Sequence, residues 1–156
     1  EHHRDQFAHF AGKFGSLPAR ETAQASAAEL EALDWGIRHE YAAVLQYLFH
    51  SFLSQDEETS RQLELQAVNE MQHMGWLAEE MASRGRGMPL EHHEVDLSQE
   101  QSSMLRADVK LERDTADMYG KFLQKLGDSG LKGLLERIRG HELYHEKLFT
   151  RLLPAG

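Results

Sequence analysis

Cysteine is absent from the chain. Its absence excludes disulfides, thiolate zinc sites, rubredoxin-type iron centres and cysteine-held iron–sulfur clusters. Proline is scarce: Pro18, Pro89 and Pro154 are the three, and each can sit outside a long helix. No run of about 18 apolar residues occurs, so no membrane span is predicted. A charged-then-apolar leader is not expected either, and the expectation is a cytoplasmic protein. Positive charge is also short: 17 Lys and Arg stand against 26 Asp and Glu, a formal charge of −9. Such a balance repels phosphate backbones and anionic lipid surfaces. Nucleic acid and membranes are therefore not expected partners, whereas a cation is.

What remains is a mixture rich in Ala, Leu, Glu, Gln, Arg and Met, which favours helix. The 156 residues suffice for one domain with a single core. Residues 27–54 carry Leu30, Leu33, Ile37, Val44, Tyr47 and Leu48 at helical spacing, and Ser26 with Glu29 forms the sequence pattern of a capping box. After the polar stretch SQDEE, residues 57–84 repeat the period with Leu63, Ala67, Met74, Leu77 and Met81. Gly85, Gly87 and Pro89 then end it. RGMPLEHHEVDLS has no helical period and reads as the one long connection. Two further helices are expected near 98–126 (Leu105, Val109, Ala116, Tyr119, Phe122, Leu126) and 129–153 (Leu131, Leu135, Ile138, Phe149, Leu152), with LGDSG between them. Four helices of roughly 40 Å, joined by two short loops and one long crossover between helices 2 and 3, predict an all-α, ferritin-like four-helix bundle over 27–156. Residues 1–26 stand apart as an N-terminal extension. Phe7, Phe10 and Phe14 there fit a short amphipathic helix that docks on the bundle or on a second subunit; a disordered tail is the open alternative.

One glutamate falls near the middle of the apolar face of each helix: Glu40, Glu70, Glu112 and Glu142. A single ionised carboxylate left unpaired in a core costs several kcal/mol, and four would repel one another. His73 and His145 follow their glutamates at i+3, close enough on a helix to reach one ion together. Carboxylate oxygens with imidazole nitrogens suit Fe(II), Mn(II) or Zn(II). Glu-x-x-His alone is a weak signal, since about one is expected by chance at this composition. The spacing is stronger. Glu40 and Glu112, Glu70 and Glu142, His73 and His145, and Tyr47 and Tyr119 are all 72 residues apart. Leu33 with Leu105, Ile37 with Val109, Leu63 with Leu135 and Leu77 with Phe149 keep the same offset. The two hairpins are thus an internal pseudo-repeat that sets the polar residues at matching heights. Salt-bridged core pairs without a metal are the alternative.

In HEYAAVLQYLFH (39–50) and NEMQH (69–73) the chain resembles the ferritin-like diiron proteins, bacterioferritin in particular, with rubrerythrin a more distant cousin. The resemblance covers about residues 27–153. It implies that Glu40 and His73 serve one iron, Glu112 and His145 the other, and that Glu70 and Glu142 bridge them. It implies ferroxidase-type chemistry, the oxidation of Fe(II) by dioxygen or hydrogen peroxide. Tyr47 matches the tyrosine that supplies an electron beside such a site, with Tyr119 its internal mate; core tyrosines with bonded hydroxyls are the equal alternative for both. Met71 stands where bacterioferritin binds haem between two subunits. The pattern also departs from the family. Leu65 and Asn69 occupy the positions of an inner-surface iron site, a short fifth helix after residue 153 is not expected, and Thr115 stands where rubrerythrin has a further glutamate. The expectation is a homodimer or higher homo-oligomer acting as a diiron oxidase. Alternatives are an iron-storage cage, a dimanganese catalase-like enzyme and a metal-free helical interaction module. Of the other histidines, His92 and His93 are read as exposed crossover with a loop metal site as alternative. His39, His50 and His141 are read as surface or interface residues beside the ligand helices, with contacts to the ligands themselves as the alternative, and His2, His3 and His9 as solvated.

Overall fold

The structure, a computed structural model, describes residues 25–127 and 129–154; Phe7, Phe10 and Phe14 lie outside them. Among the described residues the chain forms four helices: α1 (Ala27–Leu53), α2 (Glu57–Ser83), α3 (Gln101–Lys125) and α4 (Ser129–Leu152). None is long and apolar enough to cross a membrane.

The helix ends follow from local chemistry. Ser26 Oγ accepts the Glu29 backbone N–H at 3.2 Å, and Glu29 Oε2 accepts that of Ser26 at 2.7 Å, completing the expected capping box. Asp56 caps α2 through the Thr59 N–H and hydroxyl. The loop before α2 is therefore shorter than SQDEE, and Glu57 and Glu58 lie in the first turn, where their charge favours the helix dipole. At its other end Gly85 takes φ 70°, and Arg86 N–H reaches back to the Met81 carbonyl at 3.2 Å, a Schellman stop. α3 starts three residues later than the period suggested. Glu100 accepts the N–H groups of Ser102 and Ser103, while Ser98 is held in a turn by Asp96 Oδ1 at 2.9 Å.

α1 packs closely on α2 and α3 on α4, with α1 beside α3 and α2 beside α4. Two apolar clusters fill the ends of the bundle. One gathers Leu33, Ile37, Leu77, Tyr119, Phe122, Leu131, Leu135 and Ile138; the other gathers Ala43, Tyr47, Leu63, Ala67 and Phe149. Each fully buried Leu or Phe contributes about 1.5–3 kcal/mol. That apolar surplus holds the polar layer lying between the clusters.

Candidate metal centre

Glu40, Glu70, Glu112 and Glu142 enter that layer from α1, α2, α3 and α4 in turn, and His73 and His145 join them from α2 and α4. None of the six is more than 2% exposed. Both histidines turn Nδ1 inward. His73 Nδ1 lies 2.9 Å from Glu70 Oε2, 2.9 Å from Glu142 Oε1 and 3.6 Å from Glu40 Oε2. His145 Nδ1 lies 2.8 Å from Glu70 Oε1, 3.5 Å from Glu112 Oε1 and 3.8 Å from Glu142 Oε2. The donors form two overlapping quartets, Glu40–Glu70–His73–Glu142 and Glu70–Glu112–Glu142–His145, each with one donor atom per residue within 4.8 Å of the others. Glu70 and Glu142 belong to both.

Four carboxylates this close cannot all ionise without counter-charge. Burial pushes Glu40 up to about 7 against the pull of the neighbouring His73. Burial and then the charges of Glu70, Glu112 and Glu40 hold Glu142 well above the usual carboxylate range. Burial disfavours the imidazolium of His73, but the neighbouring Glu40 and Glu70 carboxylates outweigh that and raise it to about 9. His145, against the same burial, is raised by Glu112 and Glu70 to about 10. Burial and the charge of Glu112 work to raise Glu70 too, yet the adjacent His145 and His73 hold it below its ordinary value. Among the described residues, Glu40 Oε2, Glu70 Oε1, Glu112 Oε2, Glu142 Oε1 and His145 Nδ1 are buried without a hydrogen-bond partner. The 2.8 Å between His145 Nδ1 and Glu70 Oε1 is short enough for a bond, but its angles are not those of one.

Tyr47 donates to Glu112 and, in mirror image, Tyr119 donates to Glu40. Burial, then the adjacent carboxylate, holds each hydroxyl well above its ordinary value. Gly36 makes the second bond possible. A Cβ there would lie 3.1 Å from the Tyr119 hydroxyl and 2.9 Å from Leu77 Cδ1.

Of the flanking histidines, His50 departs from the surface reading, and His39 and His141 take up the alternative of contacts behind the centre. His50 is fully buried, with Nδ1 2.8 Å from Asp108 Oδ1. It follows Tyr47 by three residues and so shares its inward face. His141 Nδ1 lies 2.9 Å from His73 Nε2 and, by accepting that proton, leaves Nδ1 of His73 for the centre. His39 Nε2 lies 2.7 Å from Thr115 Oγ1, whose hydroxyl donates to the Leu111 carbonyl, so His39 is the donor. Its Nδ1 then accepts from His93 Nδ1 at 3.2 Å. Burial pushes His39 down to about 4, and Trp35 stacks on its ring. No metal-ligating group of three forms around His92 and His93 among the described residues. Gln46, Asp108 and Thr115 were not anticipated as partners of the centre, although Asp108 precedes Glu112 by one turn and Gln46 adjoins Tyr47. Met71 is 43% exposed on the outer face of α2, beside Leu65 and Val68. Asn69 turns to Gln66.

Against solved structures, the chain superimposes on a bacterioferritin of Desulfovibrio desulfuricans, described with its diiron site in different catalytic states, with TM-score 0.75 and 24% identity over 82% of each chain. It matches Mycobacterium tuberculosis bacterioferritin with TM-score 0.77 and 20% identity, covering 83% of this chain and 86% of that one. The fold is that of the bacterioferritins. No protein-family model matches the sequence, and no curated protein sequence does. The bacterioferritin fold also accounts for the long crossover, which lets α3 run beside α1 and brings Glu112 opposite Tyr47.

Proposed function

We propose that the chain is a non-haem diiron protein with ferroxidase-type activity. The observation that carries this reading is the set of unpartnered buried donors inside the two quartets. Buried polar atoms in folded proteins are nearly always bonded, and five failures in one layer fit a pair of cations. Glu40 with His73 would hold one ion, Glu112 with His145 the other, and Glu70 and Glu142 both. When bound, the ions supply the redox chemistry: two Fe(II) give two electrons, which with two protons take one hydrogen peroxide to two waters. The donor set also suits manganese and zinc.

The chain's own residues prepare that chemistry. The apolar clusters above and below exclude water and keep the donors at a fixed separation. Tyr47 and Tyr119 each fix one oxygen, Oε1, of Glu112 and Glu40. Tyr47 is assigned as the local electron donor, because a buried phenol that loses an electron must also lose its proton, and Glu112 is there to take it. On the outer face of α2, Leu65, Val68 and Met71 border a groove of about 410 Å³ with Leu48, Arg61 and Ala67. We assign that face to a second copy of the chain, with Met71 as the haem candidate.

The test is an anaerobic Fe(II) titration of metal-free protein followed by oxygen or peroxide, read by near-ultraviolet absorbance. A break at about two irons per chain supports the reading. No protein-dependent oxidation would contradict it and leave manganese, zinc or a metal-free module. Gel filtration separates the dimer from a shell of hundreds of kilodaltons, which would restore storage.

A further inference from the structure

On the Tyr47 side of the centre a chain of polar side chains runs out to the crossover. Gln46, His50 and Asp108 have Met118, Phe122 and Gly36 as their mates at the 72-residue offset, so a polar trio around Tyr47 answers an apolar one around Tyr119. Asp108, fully buried, accepts from Gln46 Nε2 at 2.9 Å and from His50 Nδ1 at 2.8 Å, both on Oδ1. Its Oδ2 is buried without a hydrogen-bond partner, as is His50 Nε2. His50 Nε2 faces Asp96 Oδ1 of the crossover at 3.4 Å, and Gln46 Oε1 accepts the Asp96 N–H at 2.8 Å. Asp96 and Gln46 line a surface cavity of about 440 Å³ together with Lys110, Leu111 and Asp114.

The inner end of these contacts, Asp108, is the mate of Gly36 at the 72-residue offset and lies near enough to Tyr47 and Glu112 for their charges to act on one another; Tyr47 in turn is bonded to Glu112. The charge of Asp108 contributes to raising the Tyr47 hydroxyl, as that proximity requires. A purely structural Asp–His pair would leave neither Asp108 Oδ2 nor His50 Nε2 open, since buried side-chain atoms in native cores are nearly always satisfied.

We propose that Asp96, His50 and Asp108 form a proton relay between this surface cavity and the Tyr47–Glu112 end of the centre. A proton from Asp96 adds to His50 Nε2 as the Nδ1 proton passes to Asp108, so one enters for each that moves inward, and a turn of the ring resets the tautomer. Burial pushes the Asp108 carboxyl above its ordinary value, against the bond from His50, which favours its taking that proton. The groups facing the pair are Asp96 from the crossover, Gln46 and Tyr47 from α1, and Glu112 from α3. The relay rests on the diiron reading for its purpose, the supply of protons to peroxide or dioxygen, but its geometry does not require iron.

Metal binding at carboxylate–histidine sites expels protons, so redox-inert Zn(II) provides a readout without turnover. Metal-free protein is mixed with Zn(II) in a weakly buffered pH indicator, and proton release is timed against Zn(II) uptake. In the unaltered chain release keeps pace with uptake. Asp108→Asn, His50→Gln and the surface variant Asp96→Asn are expected to bind the same zinc and release the same protons, at least about tenfold more slowly. Added imidazole should restore the rate in His50→Ala. Unchanged release rates in Asp96→Asn and Asp108→Asn overturn the relay, as does loss of zinc affinity in Asp108→Asn with normal release in Asp96→Asn. A chain that oxidises no Fe(II) yet shows the slowed release keeps the relay and loses the ferroxidase reading.

Discussion

Across the 72-residue offset the hairpins α1–α2 and α3–α4 present the same buried set: Glu40 with Glu112, Tyr47 with Tyr119, Glu70 with Glu142 and His73 with His145. Their outer surfaces do not follow. Residues 27–83 carry two basic and eleven acidic side chains, and residues 101–152 carry ten and eight. Exposed Leu65, Val68 and Met71 on α2 have Arg137, Gly140 and Leu143 as their mates on α4. The repeat therefore survives where both halves must offer matching donors to one polar layer. It lapses where each half meets solvent or another molecule. It also lapses just beside the layer, where Asp108 and His50 stand opposite Gly36 and Phe122.

The largest effect should come from breaking what the halves share. Glu70→Ala or Glu142→Ala removes a donor common to both quartets, so both ions should be lost while helicity by circular dichroism stays. Stabilisation by metal, about 3–4 kcal/mol at a hundred- to thousandfold excess over Kd, should vanish from the thermal melt. Glu40→Ala and Glu112→Ala should each lose one ion. Retention of two ions by Glu70→Ala would end the symmetric account.

Next is pH. Folding raises Glu40 to about 7, His73 to about 9 and His145 to about 10. All three are raised above their unfolded values, near 4.3 for Glu and 6.5 for His. Their protonated forms thus stabilise the metal-free chain fully at low pH, and that contribution is lost as pH climbs through the folded values. The melting temperature of the metal-free chain should fall between about pH 5 and pH 10, and the metal-loaded chain should show no such fall. A flat profile for the metal-free chain would show that the layer is not charged as described.

Smaller effects sharpen the asymmetry. Gly36→Ala puts a Cβ against Leu77 and the Tyr119 hydroxyl and should cost about 1–3 kcal/mol in a denaturant melt. It should disturb the Tyr119–Glu40 bond and leave Tyr47–Glu112 alone. Tyr47→Phe and Tyr119→Phe should cost about 1 kcal/mol apiece as net hydrogen-bond losses. Only Tyr47→Phe should abolish a tyrosyl radical signal after oxidation; its loss in Tyr119→Phe instead would reassign the donor.

The fold was legible because each helix carries its own apolar period and its own stop, and the polar layer was legible because its residues interrupt those periods at one offset. The next ring of residues was not. Asp108 sits one turn from Glu112 and His50 three residues from Tyr47, so both share an inward face, but nothing in one sequence says that two distant helices join them. His141 precedes Glu142 and points off its face; the 2.9 Å contact with His73 depends on a rotamer. The crossover lacks any period, yet Asp96 and His93 pin it to Gln46 and to the Arg38 carbonyl, contacts that only the packed bundle creates. Residue 98 falls within the helical period of α3, whereas the Glu100 cap fixes the start three residues on.

A paired metal centre shared by the two hairpins should be visible in crystals of iron-loaded protein measured on both sides of the iron absorption edge. Two anomalous peaks about 3.5–4 Å apart are expected, one in each quartet, with Glu70 and Glu142 in contact with both. A single peak, or iron bound only outside the layer of Glu40, Glu70, His73, Glu112, Glu142 and His145, would contradict it.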